Sequence, residues 1–566
     1  MWMTELPPFV PFFIAAFMVL LTRGWLRSLI VLATPVLGGL HLWFDVPPGI
    51  ITSIPVLEYD LILVRTDLLS LLFGYLFHIV AFIASLFALH VRDSTQTVSS
   101  LLYAGSALGV VFAGDLITLF IFWELLAVSS VFLIWARKTE RAIRSGMRYL
   151  IIQVSSGMLL LAGAMVQYYQ SGSLEFNYIG LEGISGWLIF LAFGIKCAFP
   201  LLHNWLTDAY PEATPTGTVF LSAFTTKVAI YALARGFPGT ELLVYIGAVM
   251  TIFPIFYAVI ENDLRRVLAY SLINQLGFMV CGIGIGTALA LNGTVAHAFS
   301  HVIYKALLFM SMGAVLYRVG NINASDIGGM YKSMPKTAVF CIIGAMSISA
   351  FPLFSGFVSK SMVLAAMIEE GYDYIWLVLL FASAGVLHHA GIKIPYHAFF
   401  AKDAGIRTEE APLNMLIAMG IAATLCILIG TLPSYLYAIL PWEVEFWPYD
   451  TTHVLTQLQL LLFAVLAFVW MEKMGLHPHE VHAVNIDAEW LYRKLLPATA
   501  NGVHNMSRQI GHHAKHSTKV SLQAAVNAMR STRIAQLHLA SSWPTGSMVF
   551  WIAFILGFFL IADVIY

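Results

Sequence analysis

Two lysines lie in apolar stretches of this chain, where a charged side chain is costly. Lys196 is part of GIKCAFPLL, and Lys227 follows in SAFTTKV, beyond a polar, proline-containing turn. Pro200 removes a backbone donor and predicts a broken helix next to Lys196. A lysine inside a membrane span costs about 2.5–3.5 kcal/mol on insertion scales, and desolvation favours the neutral amine. We therefore predict two stations on a proton path; the alternative is a pair of interfacial lysines that extend to the lipid headgroups.

An acidic residue lies in the middle of another apolar stretch. Glu124 is part of LITLFIFWELLAVSSVFLIW, where a carboxylate needs a basic partner or a water path. Lys196 is the partner that we expect. Such a pair would keep Glu124 ionised, and a change of charge nearby could open it. The alternative is a structural ion pair that never cycles.

Histidines share a helix face with a third lysine. In HAFSHVIYKALLF, the residues His297, His301 and Lys305 are spaced i, i+4 and i+8, which places them on one face of a helix. A lone histidine there would more often be a hydrogen-bonded core residue. Three groups in register favour a proton relay, because histidine titrates near neutrality.

A second set repeats this spacing nearer the C-terminus. His389, Lys393 and His397 are again spaced i, i+4 and i+8, and Pro395 bends their helix. A relay and a lysine that extends to the headgroups are equally compatible with this set. Lys360, in SGFVSK, precedes it and lies next to a second proline break.

The two breaks have the same short sequence. Ala-Phe-Pro-Leu occurs at 198–201 and again at 350–353, 152 residues later, each time with a lysine nearby. Lys196 precedes its proline, whereas Lys360 follows its own. Five predicted helices separate the breaks, so we expect opposite orientations in the membrane, as in the inverted repeats of transporters.

Composition places the chain among polytopic membrane proteins. Of its 566 residues, 59% are hydrophobic and 11% charged, and the mean hydropathy is +0.81. The four cysteines are far apart, and neither a CxxC pair nor a nucleotide-binding glycine motif is present. We therefore predict no metal site, no cofactor and no nucleic-acid binding. The N-terminus is expected to be a retained first helix and not a cleaved signal peptide.

Apolar runs of about 20 residues predict 16 membrane spans in an all-α protein. They lie near 8–22, 26–45, 67–90, 97–113, 115–136, 147–169, 185–208 (broken), 216–235, 241–260, 264–286, 291–317, 335–369 (broken), 374–399, 413–438, 453–472 and 546–565. Loops after odd-numbered spans carry most of the Lys and Arg residues and are expected to face the cytoplasm. The predicted segments are N-terminal helices at 1–96, a first inverted repeat at 97–236, a second at 237–400, C-terminal helices at 401–472, a lateral-helix region at 473–545 and a last span at 546–566.

The lateral region is polar and rich in His, Lys and Arg. Its pattern predicts an amphipathic helix over 507–539, with apolar positions that include Ile510, Val520, Ile534 and Leu537. Such a helix would lie along the cytoplasmic interface or along partner subunits. The histidines there are irregularly spaced, which favours a solvated surface over metal binding.

Five stretches carry a family resemblance: FWELLAVSSVFLI, GIKCAFPLLHNWLTDAYPEATPTGT, DLRRVLAYSLINQLGFM, HAFSHVIYKALLFMSMG and FPLFSGFVSKSM. Over residues 60–400 the chain resembles the antiporter-like membrane subunits shared by Mrp-type cation/proton antiporters, respiratory complex I and membrane-bound hydrogenases. Within this family it is most similar to the D-type subunit of the Mrp antiporter. The resemblance implies a fourteen-helix core with two inverted five-helix repeats.

The same resemblance implies roles for individual residues. Glu124 and Lys196 match the family's helix-5 glutamate and helix-7 lysine, Lys227 and Lys305 its central relay, and Lys360 its helix-12 exit lysine. The C-terminal extension departs from a plain D-type Mrp subunit and is similar to the lateral helix of the largest complex I subunit.

The predicted function is therefore proton translocation in the cell membrane, within a multisubunit Mrp-type monovalent cation (Na⁺)/proton antiporter. The expected partners are the other Mrp subunits, protons and the lipid bilayer, and the transported cation is left open. One alternative is a proton-pumping subunit of a complex I-like oxidoreductase or membrane-bound hydrogenase. Another is a non-transporting scaffold for a soluble partner.

Overall fold

The computed structural model describes residues 6–56, 59–443, 445–476, 480–531 and 544–565. Within them the chain is mostly helical. The α-helices are α1 (Val10–Leu21), α2 (Gly24–Phe44), α3 (Leu68–Phe87), α4 (Ser94–Phe112), α5 (Leu116–Trp135), α6 (Glu140–Ser171), α7 (Gly183–Cys197), α8 (Asn204–Ala209), α9 (Gly217–Ala223), α10 (Thr225–Gly236), α11 (Leu242–Ile260), α12 (Leu264–Ile285), α13 (Ala288–Val319), α14 (Pro335–Ile348), α15 (Ser355–Glu369), α16 (Asp373–Val386), α17 (Lys393–Pro395), α18 (Leu413–Thr431), α19 (Pro433–Tyr437), α20 (Thr451–Lys473), α21 (Leu496–Ser531) and α22 (Thr545–Ile565). Short 3₁₀ turns lie at Tyr210–Glu212 and Met330–Lys332, and π-helical turns at Leu387–Ile392, Tyr396–Phe400 and Leu491–Leu495.

The helices confirm the predicted all-α membrane protein. In the described residues, eleven continuous or closely joined helical segments are long and apolar enough to cross a membrane, and four shorter apolar helices accompany them. The more polar α4 accounts for the remaining prediction, so each of the 16 predicted spans corresponds to a helix or a pair of helices. Length and hydropathy were sufficient here because a span must bury about 20 residues in hydrocarbon.

Burial separates a central group of helices from a peripheral group. The most apolar stretches of α13 and of the joined α9–α10 are buried over their whole length, and that of α12 is 94% buried. By contrast, only 11% of the corresponding stretch of α20 is buried. Helices α13, α12 and α9–α10 therefore form the centre on which the remaining helices pack.

The two Ala-Phe-Pro-Leu breaks have the same backbone conformation. The angle φ is 62° at Ala198 and 57° at Ala350, and 68° at Leu201 and 75° at Leu353. After each alanine, the next amide donates to a carbonyl five residues earlier, at 3.0 and 3.1 Å, as in a Schellman helix end. Each proline and leucine then form a type II turn, closed by hydrogen bonds of 2.9 and 3.1 Å. This agreement is what an internal repeat predicts.

A second pair of features repeats at a spacing of 148 residues. Asp115 caps α5 and forms a backbone bridge with Glu175, whereas Asp263 caps α12 and forms a bridge with Asn323. The helices α6 and α13 that lie between each bridged pair both contain 32 residues. The repeat thus includes loops as well as breaks, while the boundaries 97–236 and 237–400 stay a prediction.

A β-hairpin between α2 and α3 is absent from the sequence predictions. Strands β1 (Ile51–Val56) and β2 (Tyr59–Arg65) pair antiparallel, with an irregularity between Thr52 and Ser53. The amide of Ile62 donates to Oδ2 of Asp115 at 2.7 Å. The hairpin is therefore fixed to the residue that caps α5, the helix that carries Glu124.

The residues from Ala488 onward form a separate unit. It contains α21 and α22, and the described side chains of α21 are exposed along the whole helix. The sequence predicts an amphipathic helix over 507–539, and the observed helix begins earlier, at Leu496. The predicted apolar positions Ile534 and Leu537 lie outside the described residues.

Candidate functional site: a buried row of lysines and histidines

The predicted lysines are enclosed by protein. Lys196, Lys227 and Lys305 have no exposed surface, and Lys360 is 2% exposed. His297 and His301 are likewise fully buried. These side chains consequently do not extend to the protein surface, as interfacial lysines would.

Lys196 lies beside Glu124 without forming a direct ion pair. Its Nζ donates to the carbonyl oxygen of Trp123 at 2.7 Å and lies 4.6 Å from the centre of the indole ring. Among the described residues, no ion pair within 4.0 Å joins Lys196 to Glu124. The two groups are nonetheless within electrostatic range of each other. The expected ion pair between Glu124 and Lys196 is therefore not closed in this structure.

Glu124 occupies a space that a glycine provides. Gly157 of α6 faces the carboxylate, and a Cβ added at that glycine would lie 1.5 Å from Oε1 of Glu124. Among the described residues this buried oxygen has no hydrogen-bond partner. Buried polar atoms are almost always hydrogen-bonded in native proteins, so the carboxylate has capacity for a proton, a water molecule or the ammonium.

Lys227 is held at a break between two short helices. Helix α9 ends at Ala223 and α10 begins at Thr225. The Nζ of Lys227 donates to the carbonyl oxygen of Ser222 at 2.7 Å and to Oγ1 of Thr226 at 3.1 Å. The helix break thus exposes a carbonyl group to the buried amine.

A cluster of four buried hydroxyl groups lies next to this break. Tyr103 and Thr225 are 2.5 Å apart, Tyr149 is 3.5 Å from Thr225, and Ser130 is 2.8 Å from Tyr149. Each hydroxyl can donate one hydrogen bond and accept others. The cluster connects α4, α5 and α6 to the position two residues before Lys227.

His297 belongs to a polar network across three helices. Its Nδ1 is 2.9 Å from Oγ of Ser359, and its Nε2 is 3.5 Å from the hydroxyl of Tyr304. Tyr304 donates to Oε1 of Gln275 at 3.0 Å. Ser359 immediately precedes Lys360, so the network joins the histidine of α13 to the lysine-bearing helix α15.

His301 and Lys305 are at the centre of the row. Among the described residues, neither the two ring nitrogens of His301 nor the Nζ of Lys305 has a hydrogen-bond partner. The charges of Lys227, Lys305 and Lys360 all act on His301. An amine and an imidazole without protein partners in a polar cluster are groups that water can bridge.

Lys360 contacts the second break. Its Nζ donates to the carbonyl oxygen of Ile348 at 2.9 Å and lies 5.0 Å from the ring centre of Phe278. Ile348 is the last residue of α14, and Ser349 separates it from the Ala-Phe-Pro-Leu turn. As with Lys227, a carbonyl at an interrupted helix holds the amine.

The second histidine–lysine set is partly in the row. His389 is fully buried and within electrostatic range of Lys305 and Lys393. Lys393 is 1% exposed and donates to the carbonyl oxygens of Val259 and Glu261 at 2.6 and 2.8 Å. Lys393 is thus buried rather than extended to the surface. The π-helical turns on both sides of α17 accompany the bend expected at Pro395.

Glu480, which the sequence did not single out, completes this end. Its Oε1 is 3.3 Å from Nζ of Lys393 and 3.0 Å from Nε2 of His397. Burial alone would raise the pKa of Glu480, but the hydrogen bond and charge of His397 and the charge of Lys393 lower it to about 2. The carboxylate therefore stays ionised across the physiological range.

The structure brings most of the predicted residues together. Electrostatic interactions, rather than direct contacts, link Lys227, His301, Lys305, His297 and Lys360 into one central group, which His389 extends toward Lys393. Glu124 and Lys196 form a second pair. Cys197, next to Lys196 in sequence, is within electrostatic range of Lys227 and connects the two groups.

Several residues of the site were missed by the sequence reasoning. Tyr304, Gln275 and Ser359 are single polar residues in apolar spans, a signal that could have been used. Gly157 and the Ser222 carbonyl gave no such signal, because their role depends on which helices pack together. Within the described residues, no group of three or more His, Cys, Asp or Glu side chains is arranged to hold a metal ion.

Comparison with known proteins shows which family this chain is similar to. The family model described as NADH:quinone oxidoreductase/Mrp antiporter, TM, matches residues 113–387. Over this region the chain is similar to the antiporter-like membrane subunits of this family. The matched region contains Glu124, Lys196, Lys227, Lys305 and Lys360, whereas His389 and Lys393 lie just beyond it.

Curated relatives point to two kinds of complex. The chain is 28% identical over 445 residues to the D subunit of the Na(+)/H(+) antiporter of Alkalihalophilus pseudofirmus, covering 72% of this chain and 88% of that protein. It is 27% identical over 440 residues to hydrogenase-4 component B of Escherichia coli, covering 68% of this chain and 64% of that protein. The chain thus spans less than two thirds of the hydrogenase component.

Solved structures confirm the fold of the chain. One chain of the Mrp complex from Dietzia sp. DQ12-45-1b superposes with a TM-score of 0.68 at 20% identity, covering 80% of this chain and 99% of that one. One chain of the membrane-bound sulfane sulfur reductase, an archaeal respiratory membrane complex, gives a TM-score of 0.72 at 20% identity, covering 99% and 100%.

Proposed function

We propose that this chain is a proton-translocating subunit of a multisubunit Mrp-type monovalent cation/proton antiporter in the plasma membrane. One observation carries the proposal. Four of the buried lysines have no carboxylate within 4.0 Å among the described residues, and these are Lys196, Lys227, Lys305 and Lys360. The relatives named as Na(+)/H(+) antiporter subunits support Na⁺ as the exchanged cation and the other Mrp subunits as partners.

Unpaired buried amines favour proton exchange for a physical reason. A buried charge without a counter-charge is strongly unfavourable, and an amine relieves that cost by giving its proton to a neighbour. A lysine that were locked to a carboxylate would instead remain charged. The four lysines can therefore change protonation state, provided that a chain of donors and acceptors connects them.

The interactions described above suggest the order in which protons would pass. The Glu124–Lys196 pair is at one end, Lys227 follows, and His301 and Lys305 form the centre. From the centre, His297 and Ser359 lead to Lys360. Water molecules would bridge the groups that lack protein partners.

Glu124 would act as the gate of this row. With the ammonium of Lys196 on the Trp123 carbonyl, the Glu124 carboxylate is free to attract a proton or the ammonium. Closing of the ion pair would hold the proton on Lys196, and opening would favour its transfer toward Lys227.

The test uses the intact complex in inverted membrane vesicles. We expect K196A and E124A to assemble normally and to lose cation-dependent dissipation of a pH gradient. The matched control is K332A, because Lys332 is exposed and pairs with Asp403 at 2.7 Å away from the row. Wild-type antiport by normally assembled K196A would contradict the proposal.

A second candidate is an antiporter-like subunit of a respiratory complex. The observation that favours it is coverage: the sulfane sulfur reductase chain covers 99% of this chain, including residues beyond 488, whereas the Mrp chain covers 80%. Purification of the native complex separates the two. Iron–sulfur or flavin subunits would favour the respiratory candidate, and their absence beside other Mrp subunits would favour the antiporter.

The scaffold alternative makes a different prediction. A non-transporting anchor for a soluble partner would keep its cellular activity when the buried lysines are neutralised together. We expect instead that the combined K227A and K305A variant is inactive although fully assembled.

A further inference from the structure

A cavity of about 110 Å³ lies between Lys360 and the peripheral helix α20. Such a volume has room for several water molecules. One side is formed by α15, with Lys360 and Ser361 at its surface, and apolar side chains enclose much of the rest. The polar residues on the opposite side all come from the first part of α20: Thr452, His453, Thr456 and Gln457.

The polar face of α20 is unusual for a helix in this position. Thr452, His453, Thr456 and Gln457 are spaced as one helical face, whereas the continuation LLLFAVLAFVW is apolar. Among the described residues of α20, only Gln457 and Leu461 are buried. A helix that is otherwise exposed to lipid or to partner subunits thus turns its polar side chains toward the lysine.

Gln457 fixes α20 to the second helix break. Its Nε2 donates to the carbonyl oxygen of Ser349 at 3.1 Å. Ser349 is the first residue after α14, whose last carbonyl, that of Ile348, binds the amine of Lys360. Two successive carbonyl oxygens at the break therefore accept hydrogen bonds, one from Lys360 and one from α20.

A histidine–carboxylate pair lies at the other end of the cavity lining. Nδ1 of His453 is 2.9 Å from Oδ1 of Asp450, and their side chains are 28% and 50% exposed. The same carboxylate caps α20 by accepting from the amide of His453 at 2.6 Å. The preceding loop also carries the acidic residues Glu443 and Glu445. The cavity consequently has a buried amine on one side and a partly exposed imidazole on the other.

We propose that His453 is the residue through which protons leave Lys360, with α20 forming the wall of the outlet. This inference rests on the proposed function and adds to it the residue and helix of the release step. The ammonium of Lys360 gives one proton, through water in the cavity, to the neutral imidazole of His453. Lys360 becomes a neutral amine, and the imidazolium, stabilised by the Asp450 carboxylate, gives its proton to solvent on the side of the acidic loop.

The first test measures transport in vesicles that contain the intact complex. We expect H453A to slow proton release roughly tenfold or more, as for loss of a positioned acid–base group, and free imidazole in the buffer to restore part of the rate. The control is H41A, because His41 forms a similar pair with Asp45 at 3.2 Å on α2, away from the cavity. Unchanged transport by H453A, or a loss that imidazole does not restore, would overturn the role of His453.

The second test measures access without relying on transport. In a variant whose four native cysteines are replaced by alanine, K360C places a thiol in the cavity. We expect a small charged thiol reagent added on the acidic-loop side to label position 360, and T456W to block that labelling. Labelling that is absent, or that T456W does not change, would show that the cavity is no outlet.

The two proposals can fail separately. If K360A transports protons normally, the proposed function of the row fails whatever the labelling shows. If K360A is inactive but H453A transports normally and position 360 is not labelled, the row stands and the outlet is elsewhere.

Discussion

Three of the buried lysines donate to carbonyl oxygens and have no carboxylate within 4.0 Å among the described residues. Lys196, Lys227 and Lys360 each donate to a backbone carbonyl, at 2.7, 2.7 and 2.9 Å. A carbonyl accepts a hydrogen bond from an ammonium and from a neutral amine alike, whereas a carboxylate strongly favours the charged form. Carbonyl contacts therefore keep each lysine in place through both protonation states.

Gly157 offers a test of Glu124 that leaves the carboxylate itself intact. G157A would force Oε1 of Glu124 to move, because the added Cβ would lie 1.5 Å from it. The end of a glutamate is flexible, so we expect little loss of thermal stability. A displacement of about 1 Å at a reacting group can cost about 100-fold in rate, and we expect antiport to fall at least severalfold.

G420A provides the control for that substitution. Gly420 lies in α18, away from Glu124. A Cβ added there would be 3.5 Å or more from the ring of Phe340, which is an ordinary van der Waals distance. Equal antiport rates for G157A and G420A, at matched assembly, would show that the position of the Glu124 carboxylate does not matter.

At the scale of elements, the two Ala-Phe-Pro-Leu turns lie next to Lys196 and Lys360. Each turn has a leucine at a position where glycine is more common. Leu201 and Leu353 have positive φ values of 68° and 75° at the place where a type II turn favours glycine. A left-handed conformation costs an L-residue about 1–2 kcal/mol. Both leucines are more than half exposed, so their side chains add little packing in return.

We therefore expect L201G and L353G to maintain or raise the unfolding temperature of the purified complex. The relief of backbone strain is partly offset because glycine makes the unfolded chain more flexible, by about 0.4–1 kcal/mol. L428G, in the last turn of α18, should instead lower it, since glycine destabilises a helix by up to about 1 kcal/mol. A decrease for L201G as large as that for L428G would argue against strain at the turn.

The sequence predicted helices better than it predicted contacts. Spans and both breaks could be recognised because apolar length and proline act locally. The hairpin at 51–65 was missed, since its short strands lie between two spans and are stabilised by the distant Asp115. The open state of the Glu124–Lys196 pair and the role of Gly157 were also beyond the sequence, because they depend on how α5, α6 and α7 pack.

At the scale of the whole membrane unit, a short segment after α20 contacts both of the predicted repeats. This segment, residues 480–487, begins with Glu480 on Lys393 and His397 and ends with Asp487. Asp487 is 3.1 Å from Nε2 of His203 and accepts from Tyr270 at 2.6 Å. Its two ends thus contact helices of the second repeat and the broken helix of the first.

Glu480 gives this segment a stability that depends on pH. Its pKa is about 2 in the folded protein, against an ordinary value of 4.5. The folded state therefore binds fewer protons, so the contribution is present above the ordinary pKa and is lost as pH falls toward the folded pKa. We expect E480Q to lower the unfolding temperature by several degrees near pH 7, and the difference from wild type to shrink between about pH 5 and pH 3.

D403N is the matched control for E480Q. Asp403 also contacts two cations, Lys332 and Arg407, but on the surface, where ion pairs contribute little. A decrease for D403N as large as that for E480Q, or a difference that does not change with pH, would contradict the assigned role of Glu480.

The most direct measurement is proton flux through the reconstituted complex when the centre of the row is neutralised. Lys305 is fully buried and within electrostatic range of Lys227 and Lys360. For K305A we expect assembled complex in proteoliposomes with cation-driven proton flux at the level of empty vesicles, and for K332A flux like that of wild type. Flux through K305A that equals wild type would show that protons do not pass along the lysines and histidines.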